Sequence, residues 1–198
     1  MRRLTVAITG ASGAVYGREF CRFLAGASLG VDLVVSDNGA KVIRHELGLT
    51  EISPAALAGG PAGNFRLWDN HDLAAGPSSG SYPSDAMVVI PASGHAIAGI
   101  AHGFSDTLVI RAALVALKQK RPLIVVPRET PLGVIELRNQ LLLAEAGAVV
   151  LPAMPGFYQK PQTVDDLVRF VVAKVAEVLG LPHDLYRRWT GEELAAKS

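Results

Sequence analysis

Short apolar blocks alternate along the chain with longer stretches of helical period. Residues 4–9, 30–36, 86–90, 123–126 and 148–151 are strand-length runs rich in Val, Ile and Leu, as expected of strands buried on both faces. A possible further strand lies at 65–68, in a poorly patterned region that also holds a short helix at 54–57. Helices are expected over about 15–24, 38–47, from the turn at 93–95 onward, 106–120, after 131, and from 163 to about 179. In 106–120, Leu108, Ile110, Leu114 and Leu117 face the core; after 131, Leu132, Ile135, Leu137, Leu141 and Leu142 recur at helical spacing. Thr163, followed by Asp165 and Asp166, reads as an N-cap with an acidic first turn. Strand and helix alternate throughout. The connections are therefore right-handed crossovers, which predicts an α/β protein with a mainly parallel sheet covered on both faces.

Composition narrows the class. With 198 residues, 49% of them hydrophobic, the chain is expected to be one domain over 1–198, ending in a tail from about 181 that packs at a subunit interface. A formal net charge of +1 gives no electrostatic reason to expect nucleic acid or an acidic membrane surface. The lone Cys21 cannot form an internal disulfide, and in a helical stretch it reads as a small core hydrophobe. Residues 86–104 lack charge, but Pro91, Ser93, Gly94, His95, Gly99 and His102 interrupt them, so no membrane span is expected. The expected location is the cytoplasm. His95 and His102 have no acidic or thiol company and make a weak metal case.

Candidate chemistry gathers where strands hand over to helices. In an open parallel sheet that edge binds ligands. Pro127-Arg128-Glu129-Thr130-Pro131 follows the run at 123–126, and its prolines stiffen the loop. It reads as a site, with an ion pair sealing the loop as the alternative. Gly10-Ala11-Ser12-Gly13-Ala14 follows the first strand and leaves the first N–H groups of a helix pointing, unpaired, at the turn. Its spacing fits neither a dinucleotide fingerprint nor a P-loop, which favours a ligand with one phosphate, with a tight turn that holds no ligand as the equal alternative. Ser36 and Ser93 end two further strands. Arg111 and Lys118, seven apart, share one helix face, a stripe that could reach a phosphate, with a solvated basic face as the commoner alternative. Residues 76–83 form a flexible small-residue loop, a lid or a plain connection. Residues 152–161 form a proline-stiffened loop presenting Tyr158. Glu46, late in a helix, reads locally as a solvated surface group. Three serine-bearing turns with Arg128 suit FMN better than NAD.

The segments Gly10-Ala11-Ser12-Gly13-Ala14-Val15-Tyr16-Gly17, Ala112-Ala113 with Lys118, Arg128-Glu129-Thr130-Pro131-Leu132, and Pro155-Gly156-Phe157-Tyr158 with Pro161-Gln162 resemble the UbiX-type flavin prenyltransferases. The resemblance runs in order from the first strand to about Trp189 and is loose only over 52–85. It implies a three-layer flavodoxin/Rossmann-like fold and metal-independent transfer of the dimethylallyl group of dimethylallyl monophosphate to N5 and C6 of reduced FMN. The product would serve a UbiD-type decarboxylase. It also implies a homo-oligomer, dodecameric in the family, with active sites between subunits. By matching motif, Gly10, Ala11, Ser12, Ser36, Ser93, Gly94, His95, Ala96 and Arg128 would hold FMN. Lys118, Glu129, Tyr158 and Lys174 would hold the prenyl phosphate, with Ser79 and Arg111 nearby and Trp189 shielding the prenyl group. Catalytic roles would fall to Ser12, Glu46, Lys118, Glu129 and Tyr158, so the resemblance reverses the local reading of Glu46. Lys118, Arg128 and Lys174 would form one ring of cations around the departing phosphate. Two departures stand out: Ala92 where many relatives have cysteine, and Lys174 where arginine is common. The alternatives are an FMN-dependent cysteine-type decarboxylase and a non-catalytic FMN carrier. The first relies on a histidine and an Asn-rich motif not found at the expected place. The second would have no use for Lys118, Glu129 and Tyr158 together.

Overall fold

The computed structural model describes residues 1–186. Its contacts divide the chain into two compact units, Met1–Ala153 and Met154–Ser198. The first unit is built on strands β1 (Arg3–Ile8), β2 (Gly30–Val35), β3 (Phe65–Trp68), β4 (Ala86–Ala92), β5 (Leu123–Pro127) and β6 (Val149–Val150). They form one sheet in the order β3-β2-β1-β4-β5-β6, with every neighbouring pair parallel. Helices α1 (Ala14–Ala25), α2 (Asp37–Leu47), α3 (Pro54–Ala58), α4 (Gly94–Ala101), α5 (Leu108–Lys118) and α6 (Val134–Glu145) connect them. The central strands β4 and β5 are buried at every residue, which is why their sequences read as unbroken apolar runs. Cys21 is fully buried and its thiol is pushed up to about 12 by burial, so it packs rather than reacts. Among the described residues no helix is long and apolar enough to cross a membrane.

Three expectations change. The run at 148–151 is strand only at Val149–Val150, although the Leu151 N–H also donates to the Val125 carbonyl at 2.8 Å. Helix α6 forms, but Ile135, Leu137, Leu141 and Leu142 are 72%, 52%, 56% and 40% exposed. Its buried side chains are Asn139 and Leu143, so the apolar stripe faces outward. The loop at 76–83 is tethered rather than flexible. Arg111 Nε donates to the Ser78 carbonyl at 3.2 Å, Arg121 Nη2 to the Gly80 carbonyl at 2.7 Å, and the Tyr82 hydroxyl to Asp32 Oδ1 at 3.0 Å. Asp32, on β2, is completely buried, and it also accepts from Trp68 Nε1 at 2.8 Å and pairs with Arg3 at 3.2 Å. A buried carboxylate with three donors is satisfied in place and pins the loop to the sheet.

The second unit holds α7 (Val164–Val178). The expected cap is present and reciprocal: Thr163 Oγ1 accepts from the Asp166 N–H at 3.1 Å, and Asp166 Oδ2 accepts from the Thr163 N–H at 2.9 Å.

Candidate active site

Strand order reverses between β1 and β4: the chain leaves β1 towards β2 on one side and enters β5 from β4 on the other. Crevices open beyond the strand ends at such a switch point. A cleft of about 390 Å³ lies there, lined by Thr9 and Gly10 after β1, Ser36 and Asn38 at the start of α2, and Ser93, Gly94, His95 and Ala96 at the start of α4. Glu129 borders it too. That volume is within the roughly 300–1,000 Å³ usual for small-molecule sites. The serines have a structural task. Ser36 Oγ accepts from the Gly39 N–H at 3.1 Å and Ser93 Oγ from the Ala96 N–H at 3.3 Å, capping α2 and α4.

Sequence reasoning missed Thr9 and Asn70. Thr9 is buried; its hydroxyl donates to the Pro91 carbonyl at 2.8 Å and accepts from the Ser93 N–H at 2.7 Å. It fastens the end of β1 to the turn after β4. Asn70, also buried, accepts the Leu108 N–H on its carbonyl at 2.7 Å and the Val109 N–H on Oδ1 at 3.3 Å. It caps α5 from a distance of nearly forty positions. Only an isolated cap-type residue after a strand could have hinted at that.

Glu46 departs most from its local reading. Its Oε2 accepts from the N–H groups of Gly13 at 2.9 Å and Ala14 at 2.8 Å, so it caps α1 from the far end of α2. Gly13 has φ 99, a conformation glycine tolerates, and provides no side-chain cap itself. The helix donors expected to be unpaired are therefore taken. Arg128 Nε reaches over the end of β4 to donate to the Ser12 carbonyl at 2.9 Å. Glu46, Ser12 and Arg128 thus meet at the β1–α1 turn. Burial alone would push the Glu46 carboxyl up. Hydrogen bonds from the Ser12 hydroxyl and the Ala14 and Gly13 N–H groups, with the Arg128 charge beside them, outweigh it and hold its pKa below the usual glutamate range. A depressed folded-state pKa gives stability that is present above the unfolded value and lost as pH falls through the folded one. Urea melts of wild type and Glu46→Gln are expected to differ at pH 7. The gap should close as pH drops from about 4.3, the unperturbed glutamate value, through the depressed value. A gap that persisted in strong acid would show that the charge is not what matters.

Lys118 does not join this group within one chain. Helix α5 starts at the cleft, where Val109 and Ile110 line it, and runs antiparallel to the strands. Lys118 in its last turn therefore stands about 15 Å away, at the opposite edge of the sheet. Arg111 is one turn into α5 and bound to the loop that carries Ser79. Within the first unit, Lys118 and the Glu46–Ser12–Arg128 group therefore stand at different ends of the sheet.

In the second unit Tyr158 and Lys174 line one cavity of about 540 Å³ with Glu177 and Tyr186. The Tyr158 ring meets Phe170 edge-on at 5.7 Å, and the Lys174 ammonium lies 5.6 Å from the Phe170 ring and 5.3 Å from that of Tyr186. Burial alone would lower the Lys174 pKa. Hydrogen bonds with Glu177 and Tyr186 more than offset it, so the pKa is raised and the lysine is a fixed cation. Trp189 lies outside the described residues. Among the described residues there is no group of three or more His, Cys, Asp or Glu that could hold a metal ion.

The Flavoprotein family profile matches residues 1–176. The flavin prenyltransferase UbiX of Methanothermobacter thermautotrophicus is 41% identical, over 98% of this chain and 98% of its own. The crystal structure of AnUbiX (PadA1) in complex with FMN and dimethylallyl pyrophosphate superposes with a TM-score of 0.89 at 37% identity, covering 96% of this chain and 98% of that one. A dodecameric FMN-dependent UbiX-like decarboxylase from Escherichia coli O157:H7 gives 0.86 at 42% identity, covering 96% and 100%. Identity of this order across almost the whole of each chain leaves no part of the fold unaccounted for, and the chain belongs to the UbiX flavin prenyltransferases of the Flavoprotein family.

Proposed function

We propose that this protein joins the dimethylallyl group of dimethylallyl monophosphate to reduced FMN without a metal, and that the prenylated FMN passes to a UbiD-type decarboxylase. The observation that carries the reading is the switch-point cleft with the Glu46–Ser12–Arg128 group beside it, in a chain of this family. The cleft suits a planar ligand with one phosphate. Among the described residues, no protein partner takes the Gly94 and His95 N–H groups at the start of α4. A Cβ at Gly94 would meet nothing within 4 Å, so a ligand can approach that backbone closely. At the start of α2, by contrast, the Asp37 carboxylate repels an anion. The α4 turn is therefore the better seat for the flavin phosphate. Gly10, Ala11, Ser12, Ser36 and Arg128 would hold the rest of the cofactor.

Reduced FMN supplies a nucleophilic N5 and a reactive C6 when bound. The chain supplies the rest. Glu129 orients the donor phosphate. By the family's motif, Lys174 supplies a positive charge and Tyr158 a hydroxyl donor to a departing phosphate. Ser12 and Glu46 hand protons to and from the flavin edge. Lys118, Arg111 and Ser79 serve the same phosphate from a neighbouring copy. The outward apolar stripe of α6 supports such an assembly, because a contiguous exposed patch of this kind marks an interaction surface.

The test is direct. Purified protein given FMN, dithionite and dimethylallyl monophosphate without air should yield a flavin heavier by one C5 unit. Parallel reactions with the diphosphate rank the two donors. Unmodified FMN from both donors would remove the proposal.

A further inference from the structure

Glu177 has no place in the roles above, yet it organises its surroundings. Phe170, Lys174 and Glu177 are spaced four and three apart on α7 and so share one helix face. The Tyr186 ring lies 5.4 Å from that of Phe170, and the His183 ring 5.6 Å from that of Tyr186. The two oxygens of Glu177 divide the work. Oε2 accepts from Lys174 Nζ at 2.8 Å; Oε1 accepts from the Tyr186 hydroxyl at 2.6 Å. The His183 side chain is fully buried, with Nε2 3.4 Å from the same Oε1 but outside hydrogen-bond geometry.

We propose that Glu177 is a positioning residue for Lys174. It fixes the ammonium above two aromatic rings and restrains its grip on the incoming phosphate. This rests on the reading that Lys174 receives the prenyl phosphate. A lysine stem is flexible and its ammonium a point charge, so a position must be imposed from outside. Arginine would bring a planar fork; here lysine acquires its direction from the carboxylate. Because Glu177 is also an anion, it competes with the phosphate for the same ammonium. Its removal should have opposite effects on binding and on chemistry, which a merely structural role would not produce.

The experiment uses the full-length protein and Glu177→Gln, which keeps the shape and discards the charge. Calorimetric titration with inorganic phosphate should show binding tightened by up to about fivefold, the scale of a partly exposed ion pair. KM for dimethylallyl monophosphate should fall in step, while kcat drops about tenfold or more because the cation is misplaced. Phosphate affinity and kcat both unchanged would overturn the proposal. Should this variant not fold, Tyr186→Phe removes one arm of the bracket alone; kcat should fall with FMN affinity preserved, and an unchanged kcat overturns the bracket. Lys174→Met separates the two levels. Normal phosphate binding in that variant defeats the underlying reading of Lys174. Lost binding there, with Glu177→Gln inert, defeats only the positioning role.

Discussion

Exchanging Glu129 for glutamine is expected to cut prenyl transfer about 10²- to 10³-fold, the usual loss when one preorganised polar group is removed, while FMN still binds. The geometry separates the two effects. Glu129 follows β5 between Pro127 and Pro131, in a loop whose torsions the prolines restrict. Its Oε1 accepts from the Thr130 N–H at 3.2 Å, and the Thr130 hydroxyl donates to the Glu129 carbonyl at 2.8 Å, so the side chain is held at the border of the cleft. Glutamine fits the same space and can accept the same bond. It lacks the charge proposed to orient the donor phosphate. None of the groups proposed to hold FMN depends on that carboxylate: Ser36 and Ser93 cap their helices, and Arg128 is tied to Ser12. A fluorescence titration with FMN should therefore match wild type within about twofold, a few tenths of a kcal/mol. Anaerobic single-turnover mass spectrometry reads the transfer itself. Full turnover would dismiss Glu129 from the chemistry, and loss of FMN would show that it builds the cleft instead.

The layers of this protein were legible because each central strand is buried on both faces and therefore apolar without a break. The cleft was legible for a related reason: glycine and cap-type residues cluster where strands meet helices at the carboxyl edge. What escaped was interaction across long separations. Glu46 lies 33 positions from Gly13, and nothing near it in sequence reveals that α2 delivers it to the start of α1. Asn70 caps α5 in the same hidden way. Helical period showed that Arg111 and Lys118 share a face, but not which rim each would reach; that follows from the direction of α5 relative to the sheet. Period also failed to give the facing of α6. An apolar stripe shows that a face seeks a partner, not whether the partner is the core of the same chain or another copy.

Gly39→Ala is expected to damage both stability and flavin binding, and it tests whether the cleft is set by backbone contact. Gly39 is in the first turn of α2, and its N–H donates to the capping Ser36. A Cβ there would lie 2.5 Å from the Ile8 carbonyl oxygen and 3.1 Å from the carbonyl carbon. That oxygen cannot rotate aside, since it accepts the Ser36 N–H at 3.0 Å. The neighbouring contact is as close: a Cβ at Gly10 would sit 2.5 Å from Asn38 Cβ. Alanine at 39 must push α2 off the end of β1 and so spread the cleft, moving Ser36 and Asn38 away from Thr9 and Gly10. Overpacking of this kind costs about 1–3 kcal/mol, and at this chain length each kcal/mol lowers Tm by roughly 2–4 °C. FMN affinity should fall about tenfold or more, as a loss of 1.4 kcal/mol or above requires. Gly94→Ala is the comparison, since a Cβ there enters open space and alanine is the better helix former. It should melt no lower than wild type yet bind FMN more weakly, because the added methyl intrudes where the flavin phosphate is proposed to approach the α4 backbone. If Gly39→Ala bound FMN normally, the contact between α2 and β1 would not shape the cleft. If Gly94→Ala did so, the flavin phosphate would have to sit elsewhere than at the start of α4.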